Sequence, residues 1–473
     1  MPAAHLDSLA SARPVCFWLD DPARPEPRPP LTTPRAGPLS ADLVVVGGGF
    51  TGLWTALRAK ERDPDREVVL LEARTIGWAA SGRNGGFCAA SLTHGLANGH
   101  ARFPAELDTL ERLGAENLAG IEQTVRRHGI DCDFRRVGDL TVANAPWQVA
   151  ELTEAAELAR DYGKRVELLD AAGTRALLDS PTYLAGLFHP DEMALVEPAR
   201  LAWGLADAAE RAGVRIAENT PALGLAVDRG SGSVLVRMSS GAVRARRVAL
   251  GTNAFPPLLR RMRHYLLPVY DYALATEPLS AAQLAAIGGW SGRFGVSDAG
   301  NQFHYYRLTR DDRIIWGGYD AIYHFNNAIG DALDQRPATF GLLARNFFAT
   351  FPALAGLRFT HRWGGVIDTC SRFSVFFGTD YGGRVGYAAG YTGLGVGASR
   401  FGADVLLDLL DGIPSERTAL TMVRRKPLPF PPEPLRYAVV EATRRSLARA
   451  DANGGRRNLW LRTLDRLGLG FDS

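Results

Sequence analysis

The chain has 473 residues, of which 46% are hydrophobic and 22% are charged, and its formal net charge at pH 7 is +3. This composition is typical of a folded globular protein long enough for two or three domains, and the small net charge gives no support to nucleic-acid binding. The four cysteines are widely spaced and form no C-x-x-C pair, which argues against a disulfide framework and a metal site: Cys16, Cys88, Cys132 and Cys370.

The N-terminal region predicts neither export nor membrane anchoring. Residues 1–15 lack the basic region followed by an apolar region that a secretory signal contains. No window of about 18 residues is uninterruptedly apolar, so we expect no transmembrane segment and a cytoplasmic location. Residues 21–38 are rich in proline, and we expect residues 1–37 to form an extended lead-in to the first folded domain.

The most informative stretch of the sequence begins at residue 42. A short apolar strand over 43–46 leads directly into a glycine-rich turn, and a helical pattern and a second apolar strand follow. The turn satisfies G-x-G-x-x-G with Gly47, Gly49 and Gly52, which permit a tight turn, close approach to a pyrophosphate and close helix packing. Glu72 ends the second strand, where it is placed to accept hydrogen bonds from a ribose hydroxyl. These features predict a dinucleotide site; the alternative is a glycine-rich turn that binds nothing.

Helices and strands alternate in the middle of the chain. Helices are predicted over 106–128 and 147–162 and from Pro198, and strands over 139–143, 214–217, 223–227, 234–238 and 243–250. From His264 to Trp363 aromatic residues cluster with strand-like alternation, which predicts an antiparallel sheet that faces the substrate. A strand over 385–389 then opens into a second glycine-rich turn, Gly390–Gly395, and a helix follows over 396–410.

Three features favour a flavin dinucleotide over a nicotinamide one. An extended FAD spans its domain, so the distant turn at Gly390–Gly395 can meet the isoalloxazine end, where a helix N-terminus stabilises negative charge on the reduced ring. The segment ASGRNGG over 80–86 has a turn-prone backbone that is rich in N–H donors. The strands before Gly251 resemble the meander that is commonly inserted between the halves of FAD domains.

Together these motifs resemble the D-amino-acid-oxidase-type family of FAD-dependent oxidoreductases, which includes glycine and sarcosine oxidases, and in particular its γ-glutamylputrescine oxidoreductase subgroup. The resemblance extends over nearly all of residues 14–420. The segments that carry it are VVVGGGFTGLWTAL (44–57), LLEARTIGWAASGRNGG (70–86), LVEPARL (195–201), VALGTNA (248–254), RWGGVIDTCSRFSVFFG (362–378) and AGYTGLGVGASRFGADVL (389–406). It implies an α/β fold in which an FAD-binding, Rossmann-like domain of the glutathione-reductase type is interleaved with an antiparallel β-sheet substrate domain.

The resemblance also implies the chemistry and the domain boundaries. Family members oxidise an amine or amino acid: hydride passes from the C–H next to nitrogen to flavin N5, water hydrolyses the imine, and O2 reoxidises the flavin with release of H2O2. The FAD domain is expected to comprise 38–105, 171–262 and 362–420, and the substrate domain 106–170 and 263–361. The extension 421–473 holds 11 Lys/Arg against 5 Asp/Glu and is interpreted as a solvated basic surface, with docking to a partner or membrane as the alternative.

The family motifs place the expected FAD contacts in several separate segments of this chain. These contacts are Gly47, Gly49, Phe50, Thr51 and Gly52 at the pyrophosphate; Glu72, Ala73 and Arg74 near the adenosine; Ser81, Gly82, Arg83, Asn84, Gly85 and Gly86 along the pyrophosphate and ring; Ala222 and Thr252 near the adenine; and Gly393, Leu394, Gly395 and Val396 at the pyrimidine edge. For Arg83, a surface position or a structural salt bridge is the alternative.

Two departures from the family pattern concern the flavin itself. Gly365 stands where sarcosine-oxidase relatives attach FAD through a cysteine, and Cys370 falls five positions later, so FAD is expected to be non-covalent. The same relatives use a lysine near the flavin to activate oxygen, but the matching positions here are Ile315 and Trp316. This substitution leaves the electron acceptor open.

Substrate contacts are predicted in and beside the antiparallel sheet. Alternation along QFHYYRL (302–308) places Tyr305 and Arg307 on one face, where Arg307 would pair with a substrate carboxylate. His361, Trp363 and Tyr391 are further candidates for the substrate cavity. The alternatives are a structural salt bridge for Arg307 and core positions for the tyrosines, and no catalytic residue is predicted.

The predicted function is therefore an FAD-dependent amine or amino-acid oxidase whose partners are a small-molecule amine and O2. Three alternatives are a dehydrogenase of the same fold that uses an electron carrier, a flavin monooxygenase, and a nucleotide-binding protein without catalytic activity. Neither the identity of the amine nor the oligomeric state follows from the sequence.

Overall fold

The structure is a computed structural model that describes residues 4–32, 38–228, 230 and 232–466. Its strands are β1 (Leu39–Val46), β2 (Val68–Leu71), β3 (Phe87–Ala89), β4 (Arg135–Arg136), β5 (Asp139–Ala143), β6 (Glu167–Asp170), β7 (Ala185–His189), β8 (Met193–Leu195), β9 (Arg215–Ala217), β10 (Gly224–Val227), β11 (Val234–Met238), β12 (Gly241–Leu250), β13 (Leu267–Thr276), β14 (Gly295–Asp298), β15 (His304–Leu308), β16 (Ile314–Gly318), β17 (Ile322–Tyr323), β18 (Phe359–Thr369), β19 (Phe376–Asp380) and β20 (Val385–Ala389). Its α-helices are α1 (Ala4–Asp7), α2 (Phe50–Arg62), α3 (Ala80–Arg83), α4 (Leu96–Arg102), α5 (Leu107–His128), α6 (Pro146–Asp161), α7 (Ala171–Leu177), α8 (Pro198–Arg211), α9 (Ala281–Ala285), α10 (Pro337–Thr350), α11 (Gly395–Asp411), α12 (Glu416–Ala419), α13 (Thr421–Arg424), α14 (Leu435–Ala452) and α15 (Leu459–Arg466).

Sheet I is built around β1 and carries the first glycine turn. Its strand order is β10-β11-β12-β1-β2-β9, with β20 paired to β12 and β19 paired to β20. Strand β1 runs parallel to β12, with Val44 opposite Val248, and parallel to β2 on its other side. Alternate residues of β1 enter cores on opposite faces of the sheet, Leu43 and Val45 on one face and Val44 and Val46 on the other. Because both faces are covered over residues 43–46, this part of the strand is entirely apolar.

Helices α2, α5, α8 and α11 form one packed layer on sheet I. Helix α2 contacts both α11 and α8, and α11 also contacts α5. The buried residues of α5 recur every three or four positions from Leu107 to Val125, as expected of an amphipathic helix. The helix ends at Gly129, whose φ of 62° supplies the left-handed residue common after a helix C-terminus.

Sheet II forms the second layer of the molecule. Its strand order is β17-β13-β16-β15-β14-β5-β7-β6, and β18 pairs along β13. Neighbours among its described strands are antiparallel except β14 and β5, which are parallel. One face packs on α10 through an aromatic core that includes Tyr306, Trp316 and Phe347. The predicted fold class, an α/β nucleotide-type sheet combined with a largely antiparallel sheet, is confirmed.

The segment boundaries expected for the two domains differ from the observed packing in three places. Helix α5, expected in the substrate domain, buries Leu110, Leu118 and Ile121 in the core of sheet I. Strand β7, expected in the FAD domain, pairs with β5 and β6 in sheet II. Strand β18 begins before the expected boundary at residue 362 and pairs with β13. Strand pairing and core contacts over long sequence distances, which local patterns do not encode, decide these assignments.

The lead-in is also more folded than expected. Residues 4–20 contain α1 and a short 3₁₀ turn, and they bury Leu9 and Ala12 in the core of sheet II and Cys16 and Trp18 in that of sheet I. Because these apolar side chains find partners on both sheets, the segment packs on the molecule instead of extending away from it. Residues 24–32 have no regular secondary structure, and 33–37 lie outside the described residues.

No helix in the described ranges combines the length and the apolar composition needed to cross a membrane.

Candidate functional site

The first glycine turn joins β1 to α2 and leaves no room for side chains. Gly47 has a φ of 109°, and a Cβ atom there would lie 2.4 Å from the carbonyl oxygen of Gly251. A Cβ atom on Gly52 would lie 1.9 Å from the carbonyl oxygen of Gly47. The N-terminus of α2 is therefore held directly against the end of β1. Its first-turn amides carry the partial positive charge that suits an anionic group.

Glu72 is a buried carboxylate beside this turn. Its Oε2 accepts a hydrogen bond from the amide of Gly48 at 2.6 Å, and its Oε1 accepts from the amide of Arg74 at 2.8 Å and from Nε1 of Trp78 at 2.9 Å. Burial raises the pKa of Glu72 above its ordinary value, while these three donors oppose that shift. The donors fix the orientation of the carboxylate at the wall of a large cavity.

The ASGRNGG segment over 80–86 begins as a short helix and continues without regular secondary structure. Helix α3 spans Ala80–Arg83, and the Ser81 hydroxyl accepts a hydrogen bond from the amide of Phe50 at 2.9 Å. Asn84 donates to the carbonyl oxygen of Ala80 at 2.8 Å and accepts from the amide of Gly86 at 2.8 Å. Side chains of this segment therefore already bond to some of its own backbone groups. Ser81 also bonds to the Phe50 amide at the start of α2, so that amide already has an acceptor.

Arg74 and Arg83 both have carboxylate partners. Arg83 forms an ion pair with Asp334 and donates to the carbonyl oxygen of Gly364 at 3.0 Å. Arg74 pairs with Asp331 at 2.9 Å, and its guanidinium lies 4.1 Å from the ring centroid of Trp78. Both arginines line the cavity, so the structural salt bridge considered for Arg83 is present in addition to its cavity position.

The second glycine turn lies where β20 leads into α11. Gly390, Thr392 and Gly393 have φ values of 79°, 52° and 91°, which turn the chain sharply before the helix begins. Asp368 Oδ2 accepts a hydrogen bond from the amide of Gly390 at 2.6 Å and fixes the turn to β18. The two glycine turns are joined directly, because Thr51 Oγ1 donates to the Tyr391 hydroxyl at 3.1 Å.

One cavity of about 1120 Å³ connects the two turns and continues along sheet II. This volume exceeds the range of about 300–1,000 Å³ that is usual for small-ligand sites. The sequence-predicted residues that line it are Gly47, Gly49, Phe50, Thr51, Glu72, Ala73, Arg74, Ser81, Arg83, Asn84, Gly85, Ala222, Thr252, Tyr305, Trp363, Tyr391, Gly393, Leu394, Gly395 and Val396. Three predicted glycines, Gly52, Gly82 and Gly86, lie behind the wall, where a Cβ atom would meet a backbone carbonyl oxygen at 1.9–2.2 Å.

Two predicted substrate residues are placed elsewhere. Arg307 shares a strand face with Tyr305, as alternation predicted, but the chain near Gly86 and Val196 covers it. Its Nη1 donates to the carbonyl oxygen of Val196 at 2.6 Å, its side chain is buried, and it lies outside the cavity wall, which corrects its expected role at a substrate carboxylate. His361 packs on Phe17, and its Nε2 lies 3.1 Å from Asp20 Oδ2. It does not line the cavity, which corrects its predicted place there.

The wall formed by sheet II contains a carboxylate that the sequence analysis missed. The Tyr305 hydroxyl donates to Asp271 Oδ2 at 2.6 Å, and both residues line the cavity. Burial raises the pKa of Asp271 to about 6 from an ordinary value of 3.8. The available sequence signal was one acidic residue inside an otherwise apolar and aromatic strand, VYDYALAT. On the same wall, Trp363 donates through Nε1 to the carbonyl oxygen of Arg83 at 2.9 Å.

The C-terminal segment, defined as residues 428–466, closes another side of the cavity. Residues 428–431 line it, and α14 presents to it side chains spaced along one helix face: Arg436, Val440, Thr443 and Leu447. Arg436 is only 5% exposed. The interpretation of the extension as a solvated surface is therefore wrong for this helix face. The i, i+4, i+7, i+11 spacing was the sequence signal that could have identified it.

Cys370 is buried at the cavity wall, and its Sγ lies 3.1 Å from the carbonyl oxygen of Ser374. No lysine is among the described residues that line the cavity. Within the described ranges no group of three or more His, Cys, Asp or Glu side chains is arranged to hold a metal ion.

Comparisons with known proteins give a consistent result. Residues 42–409 match the DAO family, described as FAD dependent oxidoreductase. The chain is 31% identical to γ-glutamylputrescine oxidoreductase of Escherichia coli K12 over 402 residues, which cover 83% of this chain and 88% of that protein.

Solved structures show the same architecture. The fold is similar to that of glycine oxidase from Geobacillus kaustophilus, with a TM-score of 0.65, 18% identity and coverage of 82% of this chain and 99% of that one. It is also similar to L-proline dehydrogenase from P. horikoshii, with a TM-score of 0.63, 19% identity and coverage of 80% and 95%. At these identities the likeness concerns the fold.

Proposed function

Because the chain belongs to the DAO family of FAD-dependent oxidoreductases, we propose that it binds FAD non-covalently and oxidises the carbon next to the nitrogen of an amine, with O2 as the electron acceptor. The observation that carries this proposal is the single cavity that runs from Glu72 past both glycine turns to the Asp271–Tyr305 pair. Its length and volume suit an extended dinucleotide with a small substrate at one end.

The residues along the cavity fit FAD. Glu72 at the cavity wall would accept hydrogen bonds from the adenosine ribose, and the N-terminus of α2 with Gly49 and Thr51 would hold the pyrophosphate. The turn at Gly393 and the N-terminus of α11 would hold the pyrimidine edge of the ring system. A helix N-terminus at that edge favours negative charge there. FAD, when bound, supplies the acceptor for the hydride that leaves the substrate carbon.

Asp271 and Tyr305 would receive the amine. A partly buried carboxylate is a strong acceptor for the N–H groups of a substrate ammonium, and the Tyr305 hydroxyl holds Asp271 in place. Because burial raises the pKa of Asp271 to about 6, transfer of a proton from the ammonium to Oδ1 or Oδ2 costs less than transfer to an ordinary carboxylate. Loss of that proton frees the nitrogen lone pair, which oxidation of the adjacent carbon requires.

The non-covalent mode is supported by the surroundings of Cys370. Attachment through sulfur requires a thiolate, and burial raises the pKa of this thiol above its ordinary value. Its Sγ also lies against the carbonyl oxygens of Ser374 and Gly390 at 3.1 and 3.5 Å. Gly365, at the cavity wall, has no side chain that would form a link.

A dehydrogenase that passes electrons to a carrier is the second candidate. The observation that favours it is that the positions matching an oxygen-activating lysine are Ile315 and Trp316, both fully buried in β16. The fold is shared by oxidases and dehydrogenases, so it is compatible with either acceptor. We keep O2 as the proposed acceptor, and the reoxidation step of the experiment below decides between them.

Anaerobic mixing of the flavin-loaded protein with a panel of amines tests the proposal. Bleaching of the oxidised flavin band by at least one amine is expected, and air should restore the band with stoichiometric H2O2. Bleaching without reoxidation by air would show that the electron acceptor is a carrier and not O2. Flavin that no amine reduces would refute the proposal. Acid precipitation should leave all flavin in the supernatant, whereas flavin in the pellet would show a covalent link.

A further inference from the structure

The C-terminal segment forms a wall of the cavity although it lies outside residues 42–409, which match the family. Three contacts fasten it along the edge of the site. The Phe430 amide donates to the carbonyl oxygen of His264 at 2.7 Å, and the Ser371 hydroxyl donates to that of Leu428 at 2.7 Å. Farther along, Asp451 accepts from the Asn301 side chain at 2.6 Å. Such anchors at both ends give α14 a defined position over the cavity.

One charged side chain of this wall has no ion-pair partner among the described residues. Arg436 lines the cavity and is 5% exposed. Its Nε donates to the carbonyl oxygen of Pro431 at 2.9 Å and its Nη1 to Asn327 Oδ1 at 2.8 Å. Both acceptors are neutral, and no carboxylate oxygen of the described residues lies within 4.0 Å of its guanidinium nitrogens.

Arg444, on the same helix, is a structural arginine whose charge is paired with carboxylates. Arg444 also lines the cavity, but its guanidinium pairs with Asp320 at 3.1 Å and with Glu441 at 3.0 Å. The carboxylate nearest to Arg436 in sequence, Glu433, instead accepts hydrogen bonds from the Tyr323 hydroxyl and the Tyr437 amide. A buried cation without an ion-pair partner is costly, and Arg436 differs from a fully enclosed arginine because it faces a cavity in which an anionic ligand can supply that partner.

The geometry of Arg436 also indicates the kind of anion. Two neutral hydrogen bonds fix Nε and Nη1, and Nη2 has no acceptor among the described residues. One guanidinium can neutralise one negative charge, which matches a carboxylate better than a doubly charged phosphate. Farther along the α14 face, Val440 lies about one turn and Leu447 about three turns from Arg436, and these apolar side chains suit an aliphatic chain.

We propose that Arg436 is the receptor for a carboxylate on the amine substrate, so that a segment outside the family-matched core determines substrate specificity. This inference rests on the proposed function. The substrate then spans the cavity, with its amine at Asp271 on sheet II and its carboxylate at Arg436 on α14. The best substrates are amino acids or acid-bearing amines, and their neutral amides are poor.

Binding of a ligand that cannot be oxidised tests the site without turnover. Pentanoate and pentanamide are titrated calorimetrically into the flavin-loaded wild type, R436M, R436K and R445M. Arg445 lies on the same helix but is exposed, so R445M is the matched control. Wild type and R445M should prefer pentanoate, R436M should lose roughly 30-fold or more in pentanoate affinity with pentanamide unchanged, and R436K should fall between them.

Equal pentanoate binding by R436M and wild type would overturn the inference, and so would equal binding of pentanoate and pentanamide by wild type. If Arg436 were merely structural, its replacement would weaken the binding of pentanoate and of pentanamide alike. If R436M does not fold, R436K decides the question through the ratio of the two affinities.

Flavin reduction by 5-aminopentanoate, 5-aminopentanamide and pentylamine separates this inference from the proposed function. If all three amines bleach the flavin equally in wild type and R436M, the function stands and the carboxylate receptor is refuted. If none does while pentanoate binding still depends on Arg436, the anion site stands and amine oxidation is refuted.

Discussion

Thr51 and Tyr391 are 340 positions apart in the chain, yet the Thr51 hydroxyl donates to the Tyr391 hydroxyl at 3.1 Å. Thr51 belongs to the first turn of α2, and Tyr391 belongs to the turn that precedes α11. The hydrogen bond therefore links the element proposed to hold the pyrophosphate of FAD to the element proposed to hold its ring system.

T51V and Y391F should each weaken FAD binding, because each leaves a buried hydroxyl without its partner at a cost of about 1 kcal/mol. The double variant should lose less than the sum of the two, with a coupling energy of about 0.5–1.5 kcal/mol. Fluorescence titration of the apoprotein with FAD measures all four affinities. T153V, which removes a hydroxyl on α6 away from the cavity, is the control, and strictly additive losses would contradict the proposed link.

E72Q should lower FAD affinity by about 5- to 30-fold. Glutamine offers one acceptor oxygen in place of two, so either Gly48 or the Arg74–Trp78 pair loses its acceptor, at about 1–2 kcal/mol. The same titration measures the change, with the exposed E116Q as a control. An unchanged FAD affinity would contradict the proposal that Glu72 binds the ribose.

D271N should abolish the acid limb of kcat/KM for amine oxidation. In the wild type this limb is expected near pH 6, because burial raises the pKa of Asp271 to about 6 and only the ionised carboxylate accepts the substrate proton. Y305F, which removes the donor to Asp271, should keep the limb but shift it to higher pH. A limb that persists unchanged in D271N would assign it to another group.

The same pKa shift predicts how stability depends on pH. The folded carboxyl titrates near pH 6 and the unfolded one near 3.8, so the folded state binds more protons between these values. The wild type should therefore lose stability relative to D271N as pH rises from about 4 to about 6, with no further change above that range. Urea unfolding at several pH values measures this difference.

R307M should destabilise the fold without changing substrate preference. The substitution leaves the buried carbonyl oxygen of Val196 without its donor, at a cost of about 1–3 kcal/mol in the free energy of unfolding. The ratio of kcat/KM between a carboxylate-bearing amine and its amide should stay at the wild-type value. R126M, at an exposed position, serves as the stability control. A selective loss of kcat/KM for the carboxylate-bearing amine would show that Arg307 acts at the substrate site.

Local patterns predicted the elements well where neighbouring residues decide the conformation. The strands 139–143 and 385–389 and the helix that begins at Pro198 are confirmed at the expected residues. Alternation in β15 also predicted correctly that Tyr306 and Tyr305 lie on opposite faces. The pattern did not show that residues 86 and 196 cover Arg307, since those contacts join segments more than 100 positions away.

The sequence by itself determined that this chain builds two glycine turns, each between an apolar strand and a helix, because turn sterics and strand apolarity are local properties. Only the tertiary structure decided which charged side chains face the space between those turns. Neither of the buried arginines Arg307 and Arg436 has an ion-pair partner among the described residues, but packing encloses the first in backbone carbonyl groups and leaves the second at a cavity wall. The physical reason is that the desolvation and pairing of a charge depend on neighbours that folding brings from distant parts of the chain.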